Sequence, residues 1–425
     1  MTSCPTGCSF QNVQYTHDVI ARTKNVPARS NLYNMARIFQ AYAFMILTDE
    51  YGDIPYTEGG AGYSDALFFP KYDAQQDIYP KLIQELTEGA AALSTTGTIE
   101  SSDILYTGNV PQWKKFAYSL LLRAGLRIMK ADATKGTAAV QAAFAGGVIL
   151  VNADNAYMRQ DGNYTQPIGN TLNGSEAANF YLTKPFVDQL KNTADPRLVS
   201  IAIRYVGATS GNGQTVAAGS TDPLKQIGIP VGKDNLTAGT AATADGLASF
   251  YDYSQADRRR ILKPSSPVFF VTASQTQLLL AEARFRGFIT TGNSADQYFS
   301  DGIRAHMDQM ALYDAGSAIA PGVRDTYVAA NPLVAGTELQ QINTQYWISS
   351  FLNGPEAFAN FRRSGFPTLA PNQFGQPNNP DVPNGTFIRR LTYPTSELSV
   401  NTTNVNAAIA RQGPDKLSTK VWWDK

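Results

Sequence analysis

Thiols are nearly absent from this 425-residue chain: two cysteines, Cys4 and Cys8, sit near its start and none follows. That excludes a multi-disulfide framework, and a chain this long needs none, because it can bury a large apolar core. The scarcity fits an oxidising compartment. The Cys4/Cys8 spacing is a poor start for a zinc site, since only His17 and His306 could add imidazole ligands. Charge is scarce too, at 16% of residues against roughly a quarter in ordinary globular proteins. The 35 basic and 35 acidic residues balance, and the longest basic run is Arg258-Arg259-Arg260. No field of one sign exists to steer nucleic acid or anionic lipid, so no nucleic-acid partner is expected. No apolar run approaches the roughly eighteen residues needed to span a bilayer. The first residues also lack the basic start and apolar stretch of a secretory signal.

What is present is apolar and aromatic. Hydrophobic residues make up 43%, the ordinary globular share, which argues against disorder; 11% aromatics with little charge suit an extracytoplasmic protein that handles neutral ligands, and equally a large core with polar loops. Helical periodicity is plain over residues 31–48, where Leu32, Met35, Phe39, Tyr42 and Ile46 recur at three- and four-residue steps until Gly52 and Pro55. Residues 74–93, 110–130 and 137–145 carry the same pattern. Helix follows helix without strand-type alternation, which argues against βαβ units and for packed antiparallel pairs.

From about residue 146 to 267 the periodicity fades, except near 177–191, and Gly, Asn, Thr and Ser dominate. Loop-rich excursions of this length inside a folded chain are usually functional. Helices are expected to resume at Ser274, where Ser274 and Gln277 have capping-box spacing; Ser294 with Gln297 and Asn353 with Glu356 mark two further starts. The expected architecture is all-α: a helical block over residues 31–145, a loop-rich, ligand-facing insertion over 146–267, and a second helical block over 268–425.

Catalysis finds little support. Two histidines leave no room for most histidine-based sites, and HExxH, GxSxG, a Walker loop and a helix-opening GxGxxG are all missing. Asp49, Glu50 and Asp53 are carboxylates of the kind glycosidases use, but they close a helix, where acids more often face solvent. No enzyme activity is expected. Aromatic loops are the better functional signal: Tyr56, Tyr63, Phe68, Phe69 and Tyr72 crowd one, and Phe250, Tyr251 and Tyr253 another. Such rings stack on the C–H faces of sugars or on peptide planes. The candidate ligand-binding set is therefore Tyr63, Phe68, Phe69, Phe250, Tyr251 and Tyr253, with loop anchoring as the competing role for half of them. No cofactor is expected. Asp154, Asp161 and Asn163 form a candidate oxygen set for calcium, against a turn that satisfies its own backbone.

Five segments resemble one known family. Asp49-Glu50-Tyr51-Gly52-Asp53-Ile54-Pro55-Tyr56 looks like the YGDIPY signature of SusD/RagB-type proteins. Asp195-Pro196-Arg197, QLLLAEARFRG at residues 277–287, EAFANFRRSGFP at 356–367, and one closing block made of RRLTYP and VWWDK follow in family order. The resemblance implies tetratricopeptide-like helix pairs and no catalysis. It also implies a lipoprotein on the extracellular face of the outer membrane that acts as a lid over a SusC-like TonB-dependent transporter. Oligosaccharides are the implied ligand, with oligopeptides of the RagB type, or a purely structural subunit, as alternatives. Family members carry a lipid anchor and further helices before the tyrosine-rich helix, so that part of the fold and the anchor are expected to be missing from this chain. Arg362, Arg363, Arg389 and Arg390 are expected to hold helix ends and buried carboxylates rather than ligand.

Overall fold

A computed structural model describes residues 10–62, 64–372, 374, 381–383 and 385–425. The fold is all-α. The first block is α1 (Phe10–Thr23), α2 (Ser30–Tyr51), α3 (Gln75–Ala92), α4 (Val110–Ile128) and α5 (Ala133–Gly146), each packed on its predecessor. The expected helices over 31–48, 74–93, 110–130 and 137–145 correspond to α2–α5 within a few residues, whereas α1 was not anticipated. The insertion holds β1 (Ala156–Met158), four short helices α6 (Pro167–Asn173), α7 (Lys184–Asn192), α8 (Arg197–Ile201) and α9 (Ala238–Ala244), and strands β2 (Ala202–Tyr205), β3 (Gly219–Ser220) and β4 (Gln255–Ala256). Strand β5 (Val268–Val271) pairs antiparallel with β1, while β3-β2-β4 form a small antiparallel sheet. The second block is α10 (Ala273–Phe285), α11 (Ala295–Tyr313), α12 (Pro321–Ala330), α13 (Glu338–Ser349), α14 (Gly354–Ser364), α15 (Thr395–Val400) and α16 (Thr402–Gln412).

Local chemistry sets these ends. Ser294 caps α11 as expected, its hydroxyl accepting from Gln297 N–H at 3.1 Å. The capping box of α10 lies two residues earlier than expected, on Thr272 and Gln275 rather than Ser274 and Gln277. Asn353 stands at the start of α14 without a side-chain cap, and Glu356 is used elsewhere. Gly52 ends α2 at φ 82°, where a Cβ would collide with Gln412 Oε1, so only glycine serves there.

One continuous core joins the blocks: α4 packs on α10, and α14 on α2. At that junction the core is ionic. Arg127, 1% exposed, places Nη2 2.6 Å from Glu356 and Nε 3.2 Å from Asp49. Asp49 also accepts from Tyr79 and, at 2.8 Å, from the indole N–H of Trp423. Burial pushes the Asp49 carboxyl up, and Arg127 offsets this only in part; burial pushes Glu356 up as well, but Arg123 and Arg127 bring it below the ordinary value. Nearby, both oxygens of Glu282 take hydrogen bonds from Arg363 at 2.7 Å, and Asn343 donates to one of them. Burial would raise Glu282, yet Arg363 more than offsets it, leaving a pKa of about 2. The four expected scaffold arginines behave accordingly. Arg362 donates to the carbonyls of Asp49 and Arg389, Arg389 pairs with Asp424, and Arg390 pairs with Asp415. Asp49 and Asp53 are thus structural acids, Asp53 being held by Arg411 and Gln75 N–H.

Glu50 differs from its neighbours. Burial, only partly countered by Arg362 and reinforced by Asp49, raises its pKa from 4.5 to about 7. The folded protein therefore holds this proton more tightly than the unfolded chain, and stability falls as pH rises from about 4.5 to about 7. Glu50→Gln should flatten that part of the profile. Unfolding temperatures of both proteins at pH 5 and pH 8 check it, and identical slopes would rule Glu50 out as the cause.

Candidate functional site

The second aromatic loop folds into a 3₁₀ turn, Phe250–Asp252, because the Ser249 hydroxyl accepts from Tyr251 N–H at 3.1 Å. Its two rings stack with centroids 4.0 Å apart and planes at 30°, and both are half-buried. Each has a backing of its own. Phe250 meets Tyr181 edge-on at 6.1 Å, and Tyr251 rests on the small cluster of Ile203, Tyr205 and Ala208. Asp252 is the hub beneath them. Its carboxylate accepts from Arg204 Nε and Nη2 at 3.0 and 3.1 Å and from Gly207 N–H at 3.0 Å. Paired charge in a shielded place fixes the turn and hence the ring plane.

Polar groups flank the rings. Gln214 Nε2 donates to the Tyr181 hydroxyl at 3.2 Å and to the Tyr251 carbonyl at 3.0 Å, while its Oε1 is buried without a partner. A fixed aromatic face beside amide and hydroxyl groups can stack on a sugar ring and hydrogen-bond its rim.

The five expected ligand residues among the described ones do not converge. Phe250 and Tyr251 lie together as described. Tyr253 is a correction: it is 0% exposed, its hydroxyl donates to Asp245 at 2.6 Å, and its ring forms the floor of a cluster with Ala242 and Leu247. A ring with no free face anchors its loop and cannot meet ligand. Phe68 and Phe69 are 70% and 57% exposed on a different loop. That loop is clamped to the second block, with Asn404 donating to the Phe69 carbonyl at 3.0 Å and Asn401 to the Pro70 carbonyl at 2.8 Å. No ring contact joins Phe68 or Phe69 to the Phe250 turn. Tyr63 lies outside the described residues.

Of the candidate calcium residues, Asp154 and one oxygen of Asp161 are committed to protein partners. Asp154 is buried, 2.7 Å from Lys115 Nζ, and Asp161 accepts from the N–H groups of Asn163 and Tyr164 at 2.7 and 2.9 Å. Those two bonds hold the Asp161 carboxyl below the ordinary range. Asn163 is exposed and its N–H is consumed in that turn. Among the described residues no group of three or more His, Cys, Asp or Glu is placed to hold a metal.

A second concavity opens beside α14. It encloses about 400 Å³ and is lined mainly by carbon, chiefly Trp347, Phe358, Phe361, Phe374 and Phe387. Sequence reasoning missed this cleft because its rings come from three separate segments. It missed Tyr181, Gln214 and Arg204 for the same reason, Arg204 being 48 residues from the Asp252 it pairs with. Asp252, an acid enclosed by three aromatics, was the one visible signal.

Comparisons with known proteins bear on the family and the fold. Residues 8–394 match the model of a SusD-like family described as starch-binding and associating with the outer membrane. Among solved structures, a chitin-binding protein is 31% identical with a TM-score of 0.84, covering 97% of this chain and 85% of its own. A SusD-like protein of Bacteroidetes AC2a is 27% identical with a TM-score of 0.78, covering 97% of this chain and 87% of its own. A SusD homologue from Bacteroides uniformis is 25% identical with a TM-score of 0.79, covering 97% and 85%. No match was found among the curated proteins. Among the described residues no helix is long and apolar enough to cross a membrane. With a family model matching nearly the whole chain and the same helix-pair fold in its relatives, the chain belongs to the SusD-like family.

Proposed function

We propose that this protein captures an oligosaccharide at the extracellular face of the outer membrane and, as a lid, delivers it uncleaved to a SusC-like TonB-dependent transporter. The observation that carries the reading is the stacked, half-exposed Phe250–Tyr251 pair held over Asp252 beside the Gln214 amide. It is supported by the family's description as starch-binding and by a relative named for chitin binding that is 31% identical over 97% of the chain. Membrane attachment through a lipid, and the transporter itself, follow from the family alone.

Calorimetry against chito-, malto- and cello-oligosaccharides and a set of oligopeptides tests the ligand class. Glycan binding is expected, and Tyr251→Ala should weaken it by about tenfold or more, the effect of removing a central aromatic anchor. One observation favours an oligopeptide instead: the carbon-lined cleft beside α14 suits an apolar side chain better than a sugar. Peptide binding without any glycan response would transfer the function to that cleft. Silence toward both classes, with the transporter still co-purifying, would leave a structural subunit.

A further inference from the structure

Next to the Phe250 turn lies a small pocket of about 60 Å³, lined by Leu172, Ala177, Phe180, Leu182, Gln255 and Arg258 among others. It holds about two waters' worth of space at roughly 30 Å³ each, far too little for a sugar ring. Most of its wall is carbon, and Phe180, 55% exposed, stands on it. The remaining wall is polar and incompletely satisfied. Gln255 is 2% exposed, and its Nε2 donates to the Ala177 carbonyl at 3.1 Å, but its Oε1 has no partner. Arg258 gives Nη1 to the Leu172 carbonyl at 3.2 Å and Nη2 to the Tyr205 hydroxyl at 3.3 Å, yet its Nε–H is buried and unpaired. One orphan acceptor and one orphan donor thus sit on two residues of the same lining, both sealed from a water-sized probe. Buried polar groups are nearly always paired, so two such orphans on one cavity call for a missing group.

A group with an N–H, a carbonyl oxygen and a small apolar end would satisfy both orphans and the carbon wall, within a space that excludes a ring. An acetamido substituent has those three parts. We propose that this pocket is a subsite for the acetamido group of a 2-acetamido sugar: Gln255 Oε1 accepts from its N–H, Arg258 Nε–H donates to its carbonyl, and Leu172, Leu182 and Ala177 enclose its methyl. Tyr181 ties the pocket to the aromatic turn, since it lines the pocket and meets Phe250 edge-on. Both orphan atoms are sealed from solvent, so the group reaches them only when Phe180, the most exposed residue of the lining, moves aside. The inference rests on the oligosaccharide reading above and narrows it to N-acetylated sugars.

Chitohexaose and cellohexaose share a backbone linkage and differ at the acetamido group, which makes them the probes. By calorimetry, the wild-type protein should bind chitohexaose about tenfold or more tightly than cellohexaose, the scale set by leaving buried polar groups unpaired. Gln255→Met removes the acceptor, and Ala256→Leu fills the pocket; each should bring the two affinities within about twofold of one another. Circular dichroism and unfolding temperature identify a variant that has failed to fold, in which case the other decides. Equal wild-type affinities, or a preference that survives in a folded Gln255→Met protein, would overturn the subsite while leaving glycan capture intact. Binding of neither sugar, nor of any other glycan, would overturn both.

Discussion

Replacing Arg127 with leucine is expected to lower the unfolding free energy by about 3–5 kcal/mol, the usual cost of stripping one partner from a buried ion cluster. The guanidinium sits between Asp49 and Glu356, both themselves buried, and lies 5.6 Å from the centre of the Trp423 ring. Its removal leaves two carboxylates with too few cations. Arg123 remains 3.4 Å from Glu356, but Asp49 keeps mainly hydrogen bonds from neutral Tyr79 and Trp423. The contact with Asp49 is an ion pair without hydrogen-bond alignment, since Arg127 Nε makes no hydrogen bond, so charge rather than direction is what leucine removes. Urea denaturation followed by circular dichroism measures the loss. A shift below about 1 kcal/mol, the scale of an exposed pair, would mean that the cluster is solvated rather than buried.

A loss of similar size, about 3–5 kcal/mol, is expected for Asp195→Ala, and by a different route. Asp195 and Arg197 are both fully buried and pair within one turn at the start of α8. From there Arg197 reaches His306 Nδ1 of α11 at 3.0 Å and Gln345 Oε1 of α13 at 2.6 Å. Burial, with Arg197 alongside, keeps His306 well below its ordinary pKa and therefore neutral, so its Nδ1 accepts the Arg197 proton and the ring carries its own on Nε2. Without Asp195 the guanidinium has only neutral acceptors. The pair is also one of the joints between the insertion and the second block, beside the Ser200–Ser317 and Lys263–Asp314 contacts. Limited proteolysis of the variant should therefore cut within residues 146–267 before it cuts the scaffold, and the denaturation midpoint should drop. Curves that superimpose on the wild type, with an unchanged digestion pattern, would show that the joint carries no load.

Much of the scaffold was legible in the sequence because apolar residues mark its buried faces. Helices α2 to α5 have nearly uninterrupted stripes, and each was found within a few residues of its ends. Helix α13 was not. Its buried face includes Asn343 and Gln345, which serve Arg363, Glu282 and Arg197, so polar residues stand where periodicity requires apolar ones. The capping of α10 shows the same limit. Thr272 with Gln275 and Ser274 with Gln277 have identical spacing, and the choice is made by Arg123 and Ser350, both of which bond the Gln275 side chain. At the site, the Phe250–Tyr251 pair was legible as composition. The inward turn of Tyr253 was not, because the reversal depends on a 3₁₀ turn followed directly by β4. The two orphan atoms of the small pocket have no sequence signature, since an unpaired atom is a property of what surrounds it.

The indole of Trp423 bonded to Asp49 has a consequence for the order of events in folding. The two residues are separated by 374 positions, and Glu356 reaches the same cluster through Arg127. Helices α2 to α4 are made before Glu356 and Trp423, so the polar centre they enclose has no complete set of partners until those residues arrive. Early helical pairs can form locally, but sealing their junction must wait for a contact of very high sequence separation, which makes it late and slow. The nascent molecule thus carries its own delay, its centre staying open until Trp423 has been made.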